Sequence, residues 1–266
     1  MNVIKKELKT NFKLFIIMLA VLIGTFLMAY IVYPFFMNEE TMKSLEETMS
    51  MLPKELMAAF NMDSSSISTP FGWVKSEGFV LALIAISVYA SILGGNILLK
   101  EENAKTIEYL GVLPIRRSRI VTYKIIACLI YIFGLVFIFT IFNLVALLLY
   151  KGDFDAGQFF LLSFSPLLIA LPFFFLNLFI STLLKGNKKS IGFSLAIAFV
   201  SYFINMISLM SDKVEFFKYF SINTLADTQN ITTNSEISFV CIIISILLSV
   251  SLATLSYFRY NKKELL

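Results

Sequence analysis

Six stretches of this chain, residues 14–36, 78–99, 125–150, 158–184, 190–210 and 237–258, contain no Asp, Glu, Lys or Arg. A helix needs about 20 apolar residues to cross a bilayer, because each backbone N–H and C=O must find its partner within the segment. All six stretches meet that length. Composition agrees: 58% of the 266 residues are hydrophobic, 28 are Phe, and only 15% are charged, against about 25% in an ordinary soluble domain. The expected fold is all-α, a polytopic membrane protein with six transmembrane helices in a single domain spanning residues 1–266.

The composition also removes functions. There is no His, which excludes histidine acid–base catalysis and the usual zinc sites. Both cysteines, Cys128 and Cys241, fall inside expected spans and read as packed thiols. The spans hold no carboxylate pair, so a membrane-embedded enzyme has no visible machinery. The N-terminal stretch NVIKKELKTNFK precedes an apolar run longer than a signal sequence carries, with no small-residue cleavage pattern after it, and is expected to be retained.

Assigning alternate loops to opposite sides gathers most of the 22 Lys and Arg at the N-terminus, the 100–124 loop, residues 185–189 and the C-terminus. The positive-inside rule makes that side, and both termini, cytoplasmic. The net charge of +4 is then a topology signal and implies no nucleic-acid partner. Ahead of the first span, Val3, Ile4, Leu8, Phe12 and Phe15 recur at helical spacing, with Lys5, Lys6, Lys9 and Lys13 between them. The pattern fits an interfacial elbow helix over residues 1–13 or equally the charged start of a long first helix.

On the other side, residues 38–77 form the only sizeable extramembrane piece. Met42, Leu45, Met49, Leu52, Leu56 and Phe60 step by three and four there, which predicts a helix on the membrane surface, interrupted at Pro53. The serines at 64–66 with Pro70 and Gly72 read as a loop, and Trp73 as an interfacial anchor. The methionines of this segment fit apolar packing better than copper ligation.

The 100–124 loop is the most charged stretch between two spans. Glu101, Glu102 and Glu108 come first, Thr106 can cap a helical turn, Leu110 and Leu113 supply an apolar stripe, and Pro114 stops it before Arg116, Arg117 and Arg119. Acids at the start and bases at the end suit a short helix's macrodipole. Such an element suits docking of a cytoplasmic protein, although a solvated connector would also carry basic residues for topology alone.

The series Glu101, Glu102, Thr106, Glu108, Leu110, Leu113, Pro114, Ile115, Arg117, Ser118, Arg119, followed by Lys124, resembles the loop of type-2 ABC exporter permeases. It falls between the second and third of six spans, as in that family. Lys105 stands where glycine is common before the threonine, and Gly111 replaces a leucine at a cost of up to about 1 kcal/mol of helix stability. The resemblance implies a coupling helix that inserts into a separate ATPase subunit, docked through Glu101, Glu102, Lys105, Thr106, Glu108, Leu110, Leu113, Pro114, Arg116, Arg117 and Arg119. It further implies two permease copies, or two related permeases, working with two ATPases that hold ATP and Mg. No cofactor is expected in this chain: GNKKS from Gly186 lacks the glycine spacing that cradles phosphates.

Ion-coupled transporters place protonatable groups at membrane depth, and none is present here. That favours energy delivered from the cytoplasm. Uncharged polar residues remain: Asn96, Asn143, Asn177 and Asn205, with Tyr89 and Tyr202, which interhelical hydrogen bonding also explains. By resemblance the second and fifth spans line the path, giving Phe79, Tyr89, Phe199, Tyr202, Phe203 and Asn205 as expected lining. The breaks at Pro166 and Pro172 would kink the fourth span. An aromatic, uncharged path fits an amphipathic cargo arriving from the lipid, a peptide first among the classes. The rival reading is a stand-alone immunity or regulatory protein that binds a peptide or partner without ATP.

Overall fold

The computed structural model describes residues 3–36, 69–100, 117–150, 154–184 and 189–262, with isolated positions between 43 and 57. Six helices carry the bundle: α1 (Val3–Phe36), α2 (Phe79–Ile97), α3 (Arg117–Leu149), α4 (Ala156–Leu183), α5 (Lys189–Ser208) and α6 (Phe239–Lys262). Each is long and apolar enough to cross a membrane, and no strand occurs among the described residues. The fold is therefore the all-helical, six-span architecture that the hydropathy implied. The surface helix expected from Met42 to Phe60 and the serine loop at 64–66 lie outside the described residues, apart from those isolated positions.

The start of α1 differs from the elbow expectation. Residues from Val3 onward form one helix with the span, because neither Gly nor Pro interrupts the hydrogen-bond ladder before Gly24. Its buried stripe is Val3, Glu7, Asn11 and Phe15, continuing to Leu22, Phe26 and Tyr30. Phe12, expected on the apolar face, is 55% exposed.

This stripe is fastened to α3 along its length. The Phe15 and Tyr131 rings are 4.9 Å apart, Phe26 and Phe139 4.6 Å, and Tyr30 stacks on Tyr150 at 5.5 Å. The Tyr150 hydroxyl donates to the Tyr30 carbonyl at 2.5 Å. Tyr33 and Trp73 meet at 6.5 Å nearby. Aromatic rings with a polar edge suit the boundary between lipid and water, so this cluster marks one end of the bundle. At the opposite end Tyr131 donates to the Leu8 carbonyl, and the Thr122 and Tyr257 hydroxyls lie 2.8 Å apart. We call that end inner and the aromatic end outer.

The second span is approached through a capped turn. Thr69 accepts from the Gly72 amide at 3.0 Å, Pro70 occupies the first turn of the short helix Pro70–Trp73, and a π-helical stretch Val74–Gly78 leads into α2. The α2 and α4 pair forms the centre of the bundle. There the backbones meet at Gly94: a Cβ at this position would lie 2.2 Å from the Phe174 carbonyl oxygen. Only glycine allows that approach.

Pro166 and Pro172 both lie inside α4. A helical proline has no N–H, so the carbonyl four residues earlier loses its partner, and in lipid that carbonyl must be satisfied by another group. Both are. Ser165 donates to the Leu162 carbonyl at 3.0 Å, and Ser245 of α6 donates to the Leu168 carbonyl at 2.7 Å.

Candidate functional site

At the inner end three charges meet inside the protein. Glu7 is 1% exposed, and its two carboxylate oxygens face different helices: one pairs with Lys100, the other lies 3.1 Å from the Lys124 ammonium. Lys124 is also 1% exposed and donates to the Ile97 carbonyl at 2.9 Å. That carbonyl belongs to the last turn of α2, where helical carbonyls have no intrahelical partner and the dipole favours a cation. Charges out of water are costly unless paired and hydrogen-bonded; this geometry supplies both. One carboxylate thus ties the start of α1 to the end of α2 and to the first turns of α3. Cys128, one turn beyond Lys124, is fully buried.

These lysines bracket the expected docking loop. Glu101, Glu102, Lys105, Thr106, Glu108, Leu110, Leu113, Pro114 and Arg116 lie outside the described residues. Arg117 begins α3, so the last part of the expected 100–124 loop is helical, and Arg119 is exposed on its first turn. Glu7 was not singled out by the sequence reading. A signal existed: it falls in register with Val3, Asn11 and Phe15 on one helical face.

The expected path residues separate into two groups. Phe79 and Tyr89 are buried inside the protomer at 2% and 0% exposure, with Phe79 edge-on to Phe26 at 5.8 Å. Phe199 and Phe203 project from α5 and are exposed, while Tyr202 and Asn205 are half-buried. Asn143 donates to the Phe139 carbonyl at 3.0 Å and accepts from the Tyr30 hydroxyl of α1 at 3.5 Å, and Asn177 donates to the Phe173 carbonyl at 2.9 Å.

A cavity of about 910 Å³ opens at the outer end between α5, α6 and the segment joining them, and none of those six residues lines it. The segment runs through two 3₁₀ stretches, Asp212–Phe220 and Asn223–Ala226, then a short helix, Thr228–Asn234. It folds back along α5. The Ile222 amide donates to the Ser201 hydroxyl at 2.9 Å, Ser221 donates to the Ser201 carbonyl at 2.7 Å, and Thr224 donates to the Asn205 side chain at 2.9 Å. Ser201 lies two turns before the end of α5, so the return reaches roughly 10 Å along that helix. Non-helical backbone at such depth requires polar side chains to satisfy it, and serine, threonine and asparagine provide them.

Asp227 closes the return. It has φ 51°, in the left-handed region where aspartate is among the tolerated residues. Its carboxylate accepts from the Ser238 amide at 2.7 Å and from Asn230 at 3.3 Å, which sets the start of α6. Gln158 at the start of α4 donates to the Ile231 and Thr232 carbonyls at 2.9 and 3.0 Å, holding the short helix down. The cavity is consequently two-faced. Val240, Ile244 and Leu248 form an apolar stripe on α6, whereas Ser208, Ser211, Thr224 and Ser238 contribute polar groups. Glu215 and Lys218 stand at its exposed margin, bonded at 2.5 Å. That carboxylate holds the Lys218 ammonium above the usual lysine range. Among the described residues no group of three or more Cys, Asp or Glu could hold a metal ion.

Six apolar helices long enough to cross a bilayer, with a buried charged cluster at one end of the bundle, define an integral, multi-pass membrane protein. The family model described as ABC-2 family transporter protein matches residues 1–265; the chain belongs to that family, whose members are the transmembrane component of an ABC transporter and not the ATPase, and is a multi-pass protein of the cell membrane. A search of curated proteins finds no match, and neither does a search of solved structures.

Proposed function

We propose that this chain is the permease subunit of an ATP-driven exporter, paired with a second permease copy and powered by a cytoplasmic ATPase docked on residues 100–119. The observation that carries the reading is the loop's setting. Its sequence is acidic first and basic last, and its two flanking lysines, Lys100 and Lys124, are held by one buried carboxylate. A loop rooted in this way can act on two spans at once. ATP and Mg belong to the partner. Both termini lie in the cytoplasm on this reading, in accord with the basic residues gathered at the inner end.

The cargo we propose is amphipathic, a peptide first among the classes. The outer cavity supports this, because a molecule with an apolar and a polar side would meet the α6 stripe on one side and the hydroxyls of the return segment on the other. The exposed apolar faces of α1, α5 and α6 fit membrane lipid or the second permease copy.

The test is co-purification with a candidate ABC ATPase subunit co-expressed with the permease, followed by Glu102→Arg and Glu108→Arg. Docking predicts that both reversals release the ATPase and abolish ATP-dependent transport of an amphipathic test peptide in proteoliposomes. Association and transport that both survive would leave the stand-alone binding protein as the better reading.

A further inference from the structure

We infer that Glu7 is the positioning residue that couples the docking loop to the body of the permease. It makes the inner ends of α1, α2 and α3 move as one unit when the ATPase displaces the loop. The inference rests on the docking reading above.

The chain connects the loop only to α2 and α3. Nothing covalent links it to α1, which ends far from it in sequence. Glu7 supplies that link, one oxygen to Lys100 before the loop and the other to Lys124 after it. The bond to Lys124 is shielded from water at both ends, so neither screening by salt nor competing hydration weakens it as they would a surface pair. A displacement that moved Lys124 away from Glu7 would strand a buried ammonium, which costs more than carrying α1 along.

What is carried along then reaches the other side of the membrane. The α1 and α3 helices are joined at Leu8–Tyr131, Phe15–Tyr131, Phe26–Phe139 and Tyr30–Tyr150, and packed helices of this kind shift as rigid bodies rather than bending continuously. The two walls of the outer cavity rest on different helices: α5 packs chiefly on α2, which the cluster ties to α1 and α3, whereas α6 packs chiefly on α4. A small slide of the tied helices against α4 therefore changes the setting of the cavity.

The protein carries its own reporters. Cys241 lines the outer cavity, and Cys128 is buried beside the inner cluster. The experiment labels the permease–ATPase complex in nanodiscs with N-ethylmaleimide and follows each cysteine by mass spectrometry. Nucleotide-free complex is compared with complex trapped by MgATP and vanadate. In the unmodified protein, trapping changes the Cys241 labelling rate by about fivefold or more, the size of a modest allosteric coupling.

In Glu7→Gln the ATPase stays bound and hydrolyses ATP, but the Cys241 response disappears. Lys100→Met cuts the arm before the loop and leaves the buried Glu7–Lys124 pair in place. Where Glu7→Gln fails to fold, this variant carries the test: it is expected to lower the Cys241 response with the ATPase still bound, and a normal response overturns the inference. A normal response in Glu7→Gln, or no response in the unmodified protein, overturns it as well. Glu102→Arg separates the two readings: if that reversal leaves the ATPase bound, docking itself fails. If it releases the ATPase while Glu7→Gln responds normally, only the role of Glu7 fails.

Discussion

The α2–α4 pair and the α5–α6 region solve the same problem in opposite ways. Between α2 and α4, backbone meets backbone at Gly94 and large apolar side chains such as Phe173 and Phe174 are fully buried. Between α5 and α6 the space is filled by returning chain held through Ser201, Ser221, Asn205 and Thr224, with a cavity left over. Close packing allows few alternatives, since a shift of tenths of an ångström creates clashes. Hydroxyl contacts exchange partners without that penalty. The first region is built to keep its shape, the second to admit something.

The sharpest way to break this contrast is at Gly94. Gly94→Val places branched carbon where the Phe174 carbonyl sits, and the cost is expected at about 3 kcal/mol, measured as loss of monodisperse protein on heating in detergent. A normal melting profile would show that the centre is not close-packed. Next in size is Ser201→Ala, which removes the acceptor for the Ile222 amide. It is expected to cost ~1–2 kcal/mol locally, read as faster maleimide labelling of Cys241 with the global melting temperature nearly unchanged. A fall in melting temperature alongside the faster labelling would mean the return segment is part of the core.

Ser245→Ala is smaller. It leaves the Leu168 carbonyl unpaired beside Pro172, and about 1 kcal/mol of thermal stability is expected to go with it. The smallest effect belongs to Lys218→Ala at the cavity margin, where the ion pair with Glu215 is exposed. No change in melting temperature is expected, because water competes for both charges. A measurable drop would place the margin on the rigid side of the comparison.

Much of this architecture is legible in the sequence, for a local reason. A span announces itself in about 20 consecutive residues, so all six were visible without any knowledge of their partners. The prolines of α4 were visible too, and the Ser165 that serves the Leu162 carbonyl is a neighbour of Pro166. What escaped depends on distance along the chain. Lys100 is 93 residues from Glu7, so the partner of that acid cannot be seen in the local stretch, where it stands among lysines. The helical continuity of α1 escaped for a related reason, since the same spacing serves a helix lying on the membrane and one standing in it.

The cavity was less legible still. Ser201 is one small hydroxyl in an apolar run, and its role exists only because residues 221–223 fold back to meet it. Tyr202 and Asn205, the larger and more polar neighbours, stand out in the sequence instead. Asn205 does take part through Thr224, whereas Phe79 and Tyr89, chosen by analogy with related exporters, lie in the protomer interior.

The serine that serves Pro172 has a consequence for how the protein is made. Synthesis runs from α1 to α6, so α4 is inserted while the ribosome still holds the segment that carries Ser245. During that interval the Leu168 carbonyl lacks the donor it has in the finished fold. A nascent chain released before residue 245 would carry this defect permanently, a polar mark in the membrane by which a protease could tell an incomplete permease from a finished one.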